Sequence, residues 1–377
     1  MRDHRKKIGI LFLWLTILLV ACGEGGAKEP SSPSSFSTPT ASAVFQREIA
    51  LYSAVGLEEG ESLRILEVAP NKLLYEVSSP RPFDTMKMEG ILSRTSRVGV
   101  YLLEEETILE EVELEGDYYI SSGTIQGDHF LILGILLDEA DDHYQVLESG
   151  ADMLVTRHEG TTIPYFTQWP ELASWKGGAE ALLWIPIEGE DGTPQAKAFM
   201  ITDQQVTERE IPFQGRLLSG NDLQICSDTL LTFWEIQEKG RFAAWNLGEN
   251  TQLLPLPEGK KILDYVLTQE GVVASLQTDD LHAELGFLPF SNAKDGFAQP
   301  AIPLFRMTSR TDQSIFCVSG SFELYEILLA ADGFELRQVD LSPWTASSNP
   351  GPVFIHSTGN GAVLVHLEEE EKVLLFA

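Results

Sequence analysis

Short apolar runs bounded by turn residues dominate the chain from Val44 onward, and long helical periodicity is nearly absent. One kind of run recurs: Leu73-Leu74-Tyr75, Phe130-Leu131-Ile132, Leu182-Leu183-Trp184, Leu230-Leu231-Thr232, Val272-Val273-Ala274, Ile315-Phe316-Cys317 and Val363-Leu364-Val365. Their central residues lie 57, 52, 48, 42, 43 and 48 positions apart. A polar or Gly-containing pair precedes each run, as in Asn71-Lys72, Gly127-Asp128 and Asn360-Gly361, and Gly and Asn tolerate the backbone of tight turns. Further strand-like segments follow, among them 98–103, 143–148, 197–201, 241–247 and 322–328. A more polar one then closes the period, as at 111–115 or 207–213. The pattern predicts an all-β chain with up to four strands per period.

The mean step of about 48 residues falls in the range of β-propeller blades, about 40 to 50 residues each. Residues 68–75 (VAPNKLLY) resemble the turn-into-strand signature of propeller families generally. The expected fold is therefore an all-β β-propeller of seven blades, with six or eight as alternatives, occupying 44–377 as a single domain. After Val365 there is room for only one more strand, while 44–53 precedes the first period without a partner. A propeller closes by letting such an N-terminal strand complete the last blade, which removes an open edge. Residues 102–114 have high helix propensity, yet Glu111-Val112-Glu113-Leu114-Glu115 alternates strictly, and strand is the reading preferred here.

The first 22 residues carry a different signal. Arg2, Arg5, Lys6 and Lys7 precede an apolar stretch, 8–20, broken only by Thr16. This is the layout of a secretory signal, too short to span a bilayer. Leu19-Val20-Ala21-Cys22 resembles the lipobox of bacterial lipoproteins at all four positions. The resemblance implies cleavage before Cys22, a diacylglyceryl group on its sulfur, and residence at the cell membrane on the extracytoplasmic face. An ordinary signal peptide with an incidental cysteine is the alternative. Residues 1–21 are then the signal, and 22–43 a lipid-anchored linker rich in Gly, Ser, Pro and Thr that cannot bury enough surface to order itself. As a flexible coil it spans about 25 Å.

Loss of the signal removes four basic residues and Asp3, so a formal charge of −31 becomes −34. Such a chain repels nucleic acid and anionic head groups, leaving the acyl chains to hold it on the membrane. Cys226 and Cys317 fall in periods that do not adjoin and are expected as buried free thiols. The sequence contains no G-x-S-x-G, H-E-x-x-H, P-loop or G-x-G-x-x-G motif, and no Cys/His cluster of zinc spacing. No catalytic residue, metal ligand or cofactor is assigned.

Candidate binding residues come from the loops. The connection 78–96 is long and carries Arg81, Lys87 and Arg94, with Arg97 just beyond. The equivalent connection of the next period holds Asp138, Asp141 and Asp142. These two loops either pair with each other or form a two-signed docking surface. The connection 342–352 would share their face and present Trp344, a residue type enriched at binding hot spots. The leading expectation is a non-catalytic, monomeric propeller scaffold that binds an extracytoplasmic protein through its loop-bearing rim. A carbohydrate-binding or carbohydrate-acting surface propeller, with Trp169 or Trp344 stacking on sugar, is the alternative. A solute-binding lipoprotein of a transporter is the third, disfavoured by the lack of repeated helices.

Overall fold

The computed structural model describes residues 44–80, 93–136, 143–150, 153–161, 170–189, 194–211, 216–217, 224–226, 229–236, 239–246, 250–255, 259–278, 282–290, 296–311, 313–330, 333–346 and 351–377. Strand β1 (Phe45–Ile49) and the short helix α1 (Leu51–Val55) lead into the first sheet, β2 (Ser62–Ala69), β3 (Lys72–Pro80), β4 (Ser93–Leu102) and β5 (Thr107–Glu113). The second comprises β6 (Tyr118–Gln126), β7 (His129–Leu136), β8 (His143–Ser149) and β9 (Leu154–Thr161). The third comprises β10 (Glu171–Trp175), β11 (Glu180–Glu188), β12 (Pro194–Ile201) and β13 (Val206–Arg209).

In the fourth, β14 (Arg216–Leu217) and β15 (Gln224–Cys226) both pair with β16 (Thr229–Ile236), followed by β17 (Lys239–Asn246) and β18 (Asn250–Pro255). The fifth runs β19 (Lys260–Leu267), β20 (Gly271–Thr278), β21 (Ala283–Pro289) and β22 (Phe297–Ala301). The sixth runs β23 (Leu304–Thr311), β24 (Ser314–Ser319), β25 (Leu324–Leu329) and β26 (Phe334–Val339). The last holds β27 (Val353–Ser357), β28 (Val363–Leu367) and β29 (Lys372–Phe376), with β1 on its outer edge. The fold is all-β: among the described residues, six antiparallel sheets have four strands and one has five.

Each of the seven recurring apolar runs lies on the second strand of a sheet: β3, β7, β11, β16, β20, β24 and β28. A strand covered on both faces reads as a continuous apolar run rather than an alternating one. The core shows why these are covered. Apolar clusters lie between successive sheets, as where Leu74 and Val98 meet Phe130 and Ile132, or Leu231 meets Tyr265 and Val272. One further cluster joins the last sheet to the first, packing Leu364 and Val373 on Leu63, Leu73 and Tyr75. First strands of successive sheets also touch in order, and β27 touches β2, so the order returns to its start. These strands run the same way. Arg64 and Glu67 of β2 meet Ile120 and Ile125 of β6, while Arg306 and Arg310 of β23 meet Val353 on β27 and Gly361 just after it.

Two faces follow from the registers. On one, called the turn face, lie the tight turns between first and second strands and between third and fourth. On the other, the connection face, lie the links between second and third strands and between sheets. Val44 and Ala377 exchange backbone hydrogen bonds of 3.2 and 3.1 Å on the turn face.

The N-terminal strand is shorter than the sequence suggests. Expected over 44–53, it stops at Ile49 and gives way to α1. Leu51 and Val55, four residues apart, share one helix face and are both buried in the cluster between the last and first sheets. That burial outweighs extension. The helix ends at Gly56, whose φ of 61° is the left-handed conformation that favours glycine. Residues 107–113 form a strand, as the alternation indicated, with a burial pattern that also alternates. Cys317 is a buried free thiol, its pKa pushed well up by burial and by Asp264.

Candidate functional site

A cleft of about 630 Å³ opens on the connection face of the first sheet, between the segment that follows α1 and strands β4 and β5. Five carboxylates line it, those of Glu58, Glu61, Glu111, Glu113 and Asp117, against two guanidinium groups, Arg94 and Arg97. The formal excess is three negative charges.

Its geometry is built on Arg97. The Arg97 guanidinium donates to Glu61 Oε2 at 3.1 Å and Glu111 Oε1 at 3.2 Å. It also donates to the carbonyls of Val55 and Gly56 at 3.2 and 3.1 Å, and so caps the C-terminal end of α1. A cation there satisfies orphan carbonyls and opposes the helix dipole. Glu61 is fixed in turn by the Glu58 amide, which donates to Oε2 at 2.9 Å. Glu111 is fixed by the Tyr75 hydroxyl at 2.6 Å. Tyr75 reaches it by lying across Gly99, its direct partner on β4, where an added Cβ would stand 2.5 Å from the hydroxyl oxygen. Burial first, then the bond to Glu111, raises the Tyr75 pKa, so the phenol stays a donor.

The sequence-derived candidates are distributed as follows. Arg94, expected in a loop, belongs with Arg97 to β4. Arg94 stands exposed at the cleft. Arg97 is engaged within its own sheet and with α1. Arg81, Lys87, Asp138, Asp141, Asp142, Trp169 and Cys22 lie outside the described residues. Trp344 is not the exposed ring expected on the rim. It is half-buried, 4.5 Å from Phe45 and 5.7 Å from Phe376 between centroids, because it covers the seam where β1 joins β29. Lys372 Nζ donates to its carbonyl at 2.9 Å.

Reading the sequence missed Glu61, Glu111, Glu113 and Asp117. Alternation placed Glu111 and Glu113 on one face of an outer strand, but only the register, Arg97 opposite Glu113 and Gly99 opposite Glu111, shows what that face meets.

No protein-family model matches the chain, and no curated protein matches it in sequence. Among solved structures, it is similar to YCF48 bound to D1 peptide, with 11% identity and a TM-score of 0.48 over 85% of this chain and 98% of that one. It is also similar to BamB from Moraxella catarrhalis, at 9% identity and a TM-score of 0.48, covering 83% and 95%. The β-propeller domain of the Trilobed protease from Pyrococcus furiosus aligns at 14% identity and a TM-score of 0.41, covering 63% and 67%. None of these likenesses bears on what this chain binds.

Chemically, the cleft can accept hydrogen bonds and neutralise positive charge. Its described lining includes no histidine, cysteine or lysine. Among the described residues, no three His, Cys, Asp or Glu side chains converge as metal ligands.

Proposed function

We propose that this chain is a lipid-anchored extracytoplasmic scaffold: a seven-bladed β-propeller, closed by its N-terminal strand, that docks a protein partner on its connection face. The observation that carries the reading is the preformed cleft with surplus carboxylate, built on the Arg97 network. Fixed acceptors facing a partner favour a basic docking segment, because charge complementarity steers encounter and excludes wrong partners. The seven-blade reading is supported by the contacts from β2 round to β27 and by the pairing of β1 with β29. The lipobox resemblance at Leu19–Cys22 supports the anchor. The described chain starts at Val44, on the turn face, opposite the cleft.

Two variants of the full-length chain, expressed in a bacterium that lipidates exported proteins, test this. Cys22→Ala should lose metabolic labelling by palmitate and leave the membrane fraction; retention of both label and location would refute the anchor. Glu113→Lys with Asp117→Lys should lose a protein that the unaltered chain captures in near-equal amount on in-cell cross-linking. Undiminished capture by that double variant would remove the cleft from the docking surface.

A further inference from the structure

Of the chain's asparagines, Asn360 alone is followed by glycine. The pair sits in the turn from β27 to β28, on the turn face, and Asn360 is exposed. Glycine puts no side chain beside its own amide nitrogen, which leaves that nitrogen open to the side chain of the preceding residue. Here Gly361 has a φ of 89°, a conformation that strains other residues, and its amide donates no hydrogen bond among the described residues.

Three sheets meet around this turn. From the sixth, Arg310 Nε donates to the Gly361 carbonyl at 3.0 Å and holds that peptide in place. Towards the first, Asn360 Nδ2 donates to the carbonyl of Pro70, in the turn from β2 to β3, at 3.4 Å. A carbonyl only accepts, so the NH2 group of Asn360 faces Pro70 and Oδ1 faces away, where the Thr358 hydroxyl donates to it. The two ends of the amide are held unequally. The Nδ2 contact is long and grips the nitrogen weakly, while Oδ1 has a donor fixed against it. Thr358 is 1% exposed, and its Oγ1 also accepts the Ala362 amide at 3.3 Å. The hydroxyl's one proton has a second acceptor, the Ala362 carbonyl at 2.9 Å, and negative charge growing on Oδ1 draws it to the side chain.

We infer that Asn360 is a site of self-modification, at which the turn converts its asparagine to an isoaspartyl or aspartyl residue. Solvent base takes the Gly361 amide proton. The nitrogen forms a bond to Cγ of Asn360, and the carbonyl electron pair moves onto Oδ1, opposite the Thr358 hydroxyl. The pair returns as the Cγ–Nδ2 bond breaks; ammonia leaves with a proton from solvent, and a succinimide ring remains. Water then opens the ring at one carbonyl or the other, giving isoaspartate, with one more carbon in the backbone, or aspartate. Nothing is oxidised or reduced. Either product sets a carboxylate where an NH2 donor faced Pro70, so the tie between the last and first sheets is lost at this turn. The inference stands apart from the docking reading and uses none of the cleft residues.

The test incubates the full-length chain in detergent and mildly alkaline buffer, beside a free peptide covering 357–363. Digestion and electron-transfer mass spectrometry follow both and separate isoaspartate from aspartate. Asn360 should convert in the folded chain, faster as pH rises. Asn71, whose Oδ1 is taken by the Glu104 amide at 2.8 Å and which precedes Lys72, should stay an amide in the same digest. Thr358→Val should slow conversion by about tenfold, the effect of one lost hydrogen bond, and Thr358→Ser should restore it. The aged chain should also unfold at a lower urea concentration than the fresh one. An Asn360 that stays intact in the folded chain while the free peptide converts overturns the inference, as does equal conversion of Asn71. Equal rates in the Thr358→Val variant and the unaltered chain would overturn the part given to the hydroxyl. The main readout uses the unaltered chain, so a variant that folds poorly cannot decide it.

Discussion

At the scale of single residues, the inter-sheet seams carry buried ionisable groups whose environments oppose their charge. Glu67 of β2 accepts bonds from the Ile125 amide at 2.5 Å and the Thr124 hydroxyl at 3.1 Å. Burial nevertheless pushes its pKa up to about 7. His356 and His366, in the last sheet, are pushed down to about 3 and about 4, chiefly by burial and for His356 also by His366 and Arg306. Nε2 of His356 is enclosed without a hydrogen-bond partner, whereas that of His366 meets the Tyr52 hydroxyl at 2.7 Å and so pins α1 to β28. The signs are opposite. A neutral buried histidine is lost to protonation in the unfolded chain, so stability falls as pH drops below about 6.5 and continues to fall until the folded values near 4 and 3 are reached. Glu67 binds its proton more tightly when folded, so its contribution is present below about 4.5 and is lost as pH rises through about 7. Two histidines outweigh one carboxyl in the acid range, and urea-unfolding midpoints should therefore peak near neutrality. Glu67→Gln should raise stability at pH 8 relative to pH 5 by about 2 kcal/mol. An equal effect at the two pH values would show that Glu67 ionises normally in the fold.

At the scale of elements, the sheet count was legible because every second strand is covered on both faces and therefore announces itself as a short apolar run. All seven such runs fall where the period put them. Four-strand sheets were legible less securely: in the fourth, β14 has two residues and β15 three, too short for any pattern to reveal. The half-helical N-terminal segment was invisible because Leu51 and Val55 share a helix face whose cover is tertiary, drawn from the first sheet and, more than 300 residues away, from Leu364 and Val373. The same long reach hid the role of Trp344, which composition alone marks as a surface anchor. Its ring instead joins Phe45 of β1 to Phe376 of β29. Trp344→Ala should lower stability by about 2 kcal/mol, less than a fully buried aromatic because the ring is half-exposed. It should also speed hydrogen exchange at the β1 amides, while leaving capture of a partner at Glu113 unchanged. Unaltered stability with lost binding would restore Trp344 as a contact residue.

At the scale of the molecule, the topology assigns the chain's ends and the cleft to opposite faces. On one face Val44 and Ala377 meet. The carboxylate cleft lies on the other. The cleft was only half legible in the sequence. Arg94 and Arg97 were singled out, but their acidic surroundings come from β5 and the post-helix segment, whose register no local pattern discloses. The central claim is that this face, and not its opposite, carries a protein partner. The most direct measurement places a photo-reactive amino acid in the full-length chain in living cells, at Arg94, Glu113 or Lys261 on one face and at Glu104 or Asp128 on the other. The account predicts that one and the same protein is captured from the first three positions and none in comparable yield from the last two. Capture from both faces alike, or from the turn face alone, would contradict it.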